Sequence, residues 1–241
     1  DWLLRDAEGR ETVTMLVMKG GTARELLSLD GIDHSILSLE IDSIITEDNK
    51  VTSSTSYVEL YEAFDVLSSP GIELTLPAFH IVENDGEKVP EVDGVAIFRG
   101  DRLVDYLTPD QTRYFLLATG KVKGGILTIA MHGAGRPDTS LEIFQNKVKM
   151  DYQVTDGRLT FSIDVEVVVI MAETKSDIDL TDIDQVKALE QEAGARLKME
   201  IEAVIKKVQA DTGCDIFGFG QFLHERDAKL WHDNEDRWEE I

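Results

Sequence analysis

The pattern of apolar and polar residues is clearest in residues 158–170, where it has the period of a β-strand. The alternate apolar positions are Leu159, Phe161, Ile163, Val165, Val167 and Val169, and the positions between the first five hold Thr160, Ser162, Asp164 and Glu166. This alternation predicts a strand with one buried face and one wet face, as in an antiparallel sheet. The dipeptide Asp156-Gly157 predicts a hairpin turn that joins this strand to an earlier one over residues 141–150.

Beyond this strand the pattern changes to that of an amphipathic helix. Apolar residues recur at steps of three and four, at Ile183, Val186, Leu189, Ala193, Leu197, Ile201, Val204 or Ile205, and Val208. Such a stripe predicts a long helix over residues 183–208 that covers the dry face of the sheet.

The patterns in the rest of the chain are shorter but of the same two kinds. They predict strands over 12–18, 74–82 and 125–131, a hairpin over 92–106, and helices over 22–29, 57–67 and 228–239. The segment 37–45 is ambiguous between helix and strand. The predicted fold class is therefore α+β, with antiparallel sheets that are each packed against helices.

The residues from Thr108 to Gln111 mark the start of one more helix. Thr108 can cap the helix, Pro109 suits its first turn, and Gln111 can complete a capping box. Gly120 ends this helix. We expect a boundary here between two consecutive domains, residues 1–106 and 107–241.

Composition limits the classes of partner. The chain has 241 residues with 24 Lys and Arg against 47 Asp and Glu, a net charge of −23. So negative a chain is a poor ligand for nucleic acid or anionic lipid, because both are polyanions. Cys214 is the one cysteine, so no internal disulfide can form, and no apolar run approaches the roughly 20 residues of a membrane span.

Motifs for metal, phosphate or nucleophilic chemistry are incomplete. The histidines His34, His80, His132, His224 and His232 form no zinc spacing. The acidic run from Asp177 fails as a calcium loop, because Asp182 and Ala188 stand where Gly and Glu are needed. A phosphate loop ending at Lys121 fails at Phe115 and Val122. The sequence therefore predicts no catalytic residue, no metal site and no cofactor.

A block of aromatic residues and glycines follows the long helix. Its aromatic members are Phe217, Phe219, Phe222, Trp231 and Trp238, and Gly218 and Gly220 lie between the first three. Such a cluster is more often core than contact surface, but exposed Trp and Phe also mark interfaces. Both interpretations stay open from the sequence.

Four segments of the chain resemble the Ger(x)C family, the lipoprotein C subunits of the nutrient germinant receptors of bacterial endospores. They are residues 1–19, the run Gly-Val-Ala-Ile-Phe-Arg-Gly-Asp-Arg-Leu-Val-Asp-Tyr-Leu at 94–107, residues 108–127 with Thr112-Arg113 and Lys-Val-Lys-Gly-Gly, and residues 211–238. They occur in the family's order and span most of the chain.

The resemblance implies a non-enzymatic subunit on the outer face of the spore inner membrane. It would be held there by an acylated N-terminal cysteine and would work with membrane-embedded A and B subunits, without nucleic acid. The family has no known catalytic residues. This chain begins at Asp1 and lacks the lipid-attachment cysteine, the family's first domain and its closing strand, so we expect an ectodomain fragment. Its residues 1–106 would be the middle region, with a remnant of the preceding domain at 1–20.

On this basis the chain is predicted to support nutrient-triggered germination by assembly with the A and B subunits. The candidate partner interface consists of Lys121, Lys123, Gly124, Gly125, Phe217, Phe219 and Trp231. The two lysines could instead neutralise the end of the helix before them. The alternative function is a binding module for an amino acid or sugar, with an enclosed pocket between the two domains. A third possibility, an acidic hydrolase, would need two carboxylates with divergent pKa values in one cleft.

Overall fold

A computed structural model describes residues 12–29, 31, 36–130, 139–175 and 178–240 and contains two β-sheets. The first sheet has the order β1 (Val17–Met18), β2 (Thr75–Asn84), β3 (Glu87–Arg99) and β4 (Arg102–Leu107). The second has the order β5 (Ile126–Ile129), β6 (Thr139–Thr155) and β7 (Arg158–Thr174). All neighbours pair antiparallel except β1 and β2, which are parallel.

Seven α-helices surround these sheets in the described parts of the chain. They are α1 (Ala23–Leu26), α2 (Leu37–Val51), α3 (Leu60–Ser68), α4 (Pro109–Ala118), α5 (Ile183–Thr212), α6 (Phe219–Arg226) and α7 (Ala228–His232), followed by a 3₁₀ helix at Glu235–Glu240. The ambiguous segment 37–45 is helical. The predicted α+β class, with sheets packed against helices, is confirmed.

Local signals placed several of these elements correctly. Thr108 accepts a hydrogen bond from the backbone N–H of Gln111, whose side chain accepts one from the N–H of Thr108, so the capping box of α4 is present. Asp182 caps α5 by accepting from the N–H of Asp184. The acidic run leads into this cap, and its first residue, Asp177, lies outside the described residues.

The predicted strand over residues 12–18 is wrong in most of its length. Only Val17 and Met18 pair with β2. The backbone just before Val17 makes its hydrogen bonds with a different segment. The N–H of Met15 donates to the carbonyl of Val58, and the carbonyl of Val13 accepts from the N–H of Leu60. Competition from this second partner therefore shortens the strand. Residues 1–11 lie outside the described residues.

The predicted burial of the first residue in the apolar stripe of this helix is also wrong. Ile183 begins α5 but is 69% exposed, whereas Leu189, Ile201, Val204 and Val208 are buried as predicted. Only the part of α5 from about Val186 onwards therefore lies over the core.

Two tight hairpins have the same turn chemistry. Asp156 and Gly157, as predicted, have positive φ angles of 52° and 76° between β6 and β7. Asp85 and Gly86 have 51° and 85° between β2 and β3, a hairpin that the sequence analysis missed although Asp-Gly is its usual signal.

The largest core cluster joins the two sheets. It combines Val95 and Ile97 of β3 with residues of α4, of β5 and β6, and of α5. Two smaller clusters cover the first sheet, one with α1 and α2 around Phe79 and one with α3 around Leu76. The division into domains 1–106 and 107–241 stays a prediction, and continuous packing crosses that boundary.

Candidate functional site

The C-terminal aromatic block is organised around one partly buried carboxylate, Asp215. One of its oxygens accepts from the N–H groups of Gly218 and Phe219 at 2.8 and 3.1 Å. The other accepts from the N–H of Gly220 at 2.7 Å and from Nε1 of Trp238 at 3.1 Å. Burial raises the pKa of this carboxyl above 3.8, and the four N–H donors oppose that shift. The carboxylate thus fixes both the start of α6 and a tryptophan beyond α7.

The aromatic rings form a continuous chain of contacts. Phe161 of β7 lies 5.1 Å from Phe219 and 5.9 Å from Trp238, measured between ring centroids. Trp238 in turn lies 5.1 Å from Trp231. The predicted single helix over 228–239 is wrong, because α7 ends at His232 and a 3₁₀ helix follows. The two tryptophans still meet, because the kinked chain folds back.

Most of the block faces the interior of the protein. Phe217 and Trp231 are buried, and Phe219 is half-buried against the largest core cluster. Phe217 also makes an edge-on contact with Phe115 of α4, with 5.6 Å between ring centroids. Of the two interpretations left open by the sequence, core therefore fits Phe217 and Trp231.

A contact between two glycines joins this block to the first half of the chain. The N–H of Gln221 donates to the carbonyl of Gly71 at 2.8 Å. A Cβ atom on Gly220 would come within 2.7 Å of both the Cα of Gly71 and Cζ3 of Trp231. Gly71 itself has a positive φ of 70°. No larger residue fits this crossing without displacing backbone.

The segment from Lys121 to Gly125 lies against the end of α2. Gly124 is buried, and a Cβ atom there would overlap the carbonyl oxygen of Lys50. Its own carbonyl accepts a 2.6 Å hydrogen bond from Oγ of Ser53. The carbonyl of Gly125, which is also buried, accepts from the N–H of Ile143 in β6. The glycines are therefore used in intramolecular packing.

The two lysines of this segment are exposed. Although the side chain of Lys121 is exposed as a whole, nearby protein atoms lower the pKa of its ammonium, and the carboxylate of Glu62 opposes that shift. Val122 between the lysines belongs to the same core cluster as Phe217. Interior packing, and not one shared exposed surface, links the two groups of predicted interface residues. Their role in partner binding stays a prediction.

A groove of about 1340 Å³ runs beside the aromatic block. β7, α5 and the C-terminal helices line it, with Phe161, Leu197 and Trp238 on its apolar walls and Lys198 and Arg237 at polar positions. It lies within the C-terminal part of the chain and not between the two predicted domains. The alternative of a small-molecule binding module stays a prediction.

Sequence reasoning missed Asp215, Gly71 and the glycine crossing. Asp215 precedes a helix, which is a detectable capping signal, but its bond to Trp238 spans 23 residues. The close approach of Gly71 and Gly220 has no local signal at all.

Two further observations concern metal ligands and membrane-spanning helices among the described residues. In the described parts of the chain, no group of three or more His, Cys, Asp or Glu side chains is placed to hold a metal ion. Within the same residues, no helix combines the length and apolar character that crossing a bilayer requires. His34 and His132 lie outside the described residues.

Comparisons with known proteins cover nearly the whole chain. Residues 1–81 match the family described as "Spore germination protein N-terminal domain". Residues 93–241 match the family described as "Spore germination B3/GerAC like, C-terminal". The chain is also similar to "Spore germination protein KC" of Bacillus subtilis (strain 168), with 21% identity over 257 residues.

These similarities have limits of extent. The aligned region is 99% of this chain but only 62% of the Bacillus protein. The crystal structure of the GerBC protein has a TM-score of 0.73 to this chain at 18% identity, covering 99% of this chain and 67% of that one. At this identity the structural similarity establishes the fold.

Proposed function

Because this chain belongs to the GerAC-like family of spore germination proteins, we propose that it is part of the C subunit of a nutrient germinant receptor. The predicted resemblance to the Ger(x)C family is confirmed. The observation that carries the proposal is that the two family matches follow one another in order along the chain, over residues 1–81 and 93–241.

In this proposal the subunit has no enzymatic activity and works by assembly with the membrane-embedded A and B subunits. Its place is the outer face of the spore inner membrane, where an N-terminal lipid holds the full-length protein. The packing around Asp215 and the glycine crossing support such a role, because they fix the start of α6 to Asp215 and to the turn before β2. A rigid body can transmit force between subunits, whereas a loosely packed one absorbs it.

Lys121 and Lys123 are the proposed contact residues for the membrane subunits. They are the exposed members of the predicted interface, and they are cations in a chain of net charge −23. The buried Gly124, Gly125, Phe217 and Trp231 and the half-buried Phe219 would hold their surroundings in place.

The test is a charge reversal, Lys121→Glu with Lys123→Glu, in the full-length protein in spores. The germination rate with one nutrient should fall by at least about tenfold at unchanged protein level, because like charges across an interface cost several kcal/mol. The matched control is Lys187→Glu with Lys206→Glu, two exposed lysines of α5 outside the groove, which should leave the rate unchanged. Normal germination of the first variant would show that these lysines do not contact the membrane subunits. Normal germination of spores without the protein would reject the receptor role itself.

A further inference from the structure

The outer face of the second sheet, away from α5, carries exposed apolar side chains at one end. Phe144 is 72% exposed, Ile170 is 54% exposed, and Ile126 and Val168 are also exposed. Ile126 and Ile170 are the Cα partners of Glu142 on its two sides. Val168 lies two residues before Ile170 in β7, and Phe144 lies two residues after Glu142 in β6. All five side chains therefore share one face of the sheet. We call Ile126, Phe144, Val168 and Ile170 the outer patch.

The same face is polar at its other end. The outward positions of β7 there are Thr160, Ser162, Asp164 and Glu166, opposite Gln153, Asp151, Lys149 and Lys147 of β6. After Glu166 the outward positions become Val168 and Ile170, so the strand is apolar on both faces from Val167 to Met171. A strand that is apolar on both faces is typical of a sheet covered on both sides. Here the described residues cover only the inner side.

A β-bulge brings Phe144 onto this face. The register between β6 and β7 shifts between Ile143 and Gln145, and Phe144 is the extra residue. Phe144 and Gln145 are both exposed, whereas Ile143 is buried. Bulges commonly redirect a side chain near a functional surface. Large aromatic residues are also enriched in protein interfaces.

The charge at the centre of the outer patch limits what can cover it. Glu142 is exposed and has no ion-pair or hydrogen-bond partner for its carboxylate within the described part of the chain. Lipid chains would leave this carboxylate buried without a partner, which is costly. A second copy would bring two chains of net charge −23 together. A protein surface with apolar side chains and a Lys or Arg satisfies both the patch and the carboxylate.

We propose that the outer patch is a docking surface for a partner protein whose apolar contact surface carries a basic residue opposite Glu142. This inference rests on the proposed function only for the identity of the partner, which would be the A or B subunit. The surface is separate from the lysines at 121 and 123, although Ile126 directly follows that segment.

The test measures cysteine accessibility in the full-length protein. Phe144→Cys and the control Leu103→Cys, on exposed β4 of the first sheet, are labelled with a membrane-impermeant maleimide. The native Cys214 is buried. Labelling of Phe144→Cys should be at least about tenfold slower in spore membranes than in purified protein, because the partner would bury the thiol for about nine-tenths of the time or more. Labelling of Leu103→Cys should not change.

Three results would overturn the proposal. Equal labelling of Phe144→Cys in membranes and purified protein would show an open face. Slow labelling in both would show that the chain covers the face with its own residues. Protection that appears in purified protein as its concentration and oligomeric state increase would show a second copy.

The basic residue is tested by adding Glu142→Lys to Phe144→Cys. This change should restore fast labelling in membranes, whereas Asp164→Lys at the polar end of the same face should leave protection intact. Unchanged protection with Glu142→Lys would contradict a cationic partner. Protection that persists in membranes without the A and B subunits would keep the docking surface and count against the proposed function instead.

Discussion

Two strands of this protein have similar apolar runs but different surroundings. In β2, four consecutive residues from Leu76 to Phe79 are buried, so both faces of the strand are covered. In β7, the run from Val165 to Ala172 contains no fully buried residue, and Ile170 is 54% exposed. Burial on both faces therefore explains the apolar run of β2, whereas in β7 only one face of the strand is covered by described residues.

The difference comes from the number of layers around each sheet. The first sheet lies among α1 and α2, α3, and the core shared with α4 and α5. Among the described residues, the second sheet packs against α4 and α5 on one side only. The apolar pattern of β7 fits a strand covered on both faces, and this difference is the basis of the proposed docking surface.

The largest expected effect is a difference in unfolding free energy between variants of the two strands. Phe79→Ala in β2 should lower the free energy of unfolding by about 3–5 kcal/mol, because it leaves a cavity in a closed core. Ile170→Thr in β7 should change it by no more than about 0.5 kcal/mol, because the side chain is exposed and threonine keeps the β-branched shape. Urea unfolding of the two variants measures both values. A similar loss for both would mean that the outer face is covered within the isolated chain.

A smaller effect tests the contact between α6 and the turn that precedes β2. Gly71→Ala should cost about 2–4 kcal/mol, because the new Cβ would overlap the backbone of Gly220. Gly100→Ala is the matched control: Gly100 also has a positive φ, of 57°, but nothing lies within 4 Å of its Cβ position. Its cost should be only the left-handed backbone penalty of about 1–2 kcal/mol. Equal losses in thermal unfolding would show that the crossing contributes no packing energy.

The smallest effect concerns the ion pair between β4 of the first sheet and α5. Nζ of Lys207 in α5 lies 2.6 Å from Asp105 in β4. Burial acts to raise the pKa of Asp105, but the hydrogen bond from Lys207, with other contacts, holds it below 3.8. Asp105→Asn should cost about 1 kcal/mol at neutral pH, because the pair is partly exposed.

The pH dependence of this loss identifies its cause. The pKa of Asp105 is lower in the folded state, so its contribution is present above pH 3.8 and disappears as the pH falls through the folded value. The difference between wild type and Asp105→Asn should therefore shrink below pH 3.8. Asp101→Asn, at the exposed turn before β4, should show no such trend. A pH-independent loss for Asp105→Asn would assign the effect to packing.

The fold was predictable wherever its signals are local. The capping box at Thr108, the turn at Asp156-Gly157 and the alternation in β7 each depend on residues close in sequence. The segment 12–18 was mispredicted because its hydrogen bonds go to residues 58–60, which no local pattern shows.

The candidate site was predictable in composition but not in arrangement. The sequence singled out Phe217, Phe219 and Trp231, but the carboxylate that organises their surroundings, Asp215, receives one of its bonds from Trp238. Likewise, Gly124 stood out as a glycine beside lysines, but the reason for glycine is the carbonyl of Lys50. Such requirements arise from contacts between distant segments, so a single sequence does not contain them in readable form.

The crossing of Gly71 and Gly220 also has a consequence for biosynthesis. Gly71 is synthesised early and Gly220 only near the end of the described chain, so the turn before β2 is complete long before its partner in α6 exists. Contacts between such distant segments form late and slow the folding of a chain. The apolar residues of β2 do not wait for α6, because α1, α2 and α3 cover them. The first sheet can therefore close on its own helices during synthesis, and the last helices to be made dock onto a part of the chain that is already folded.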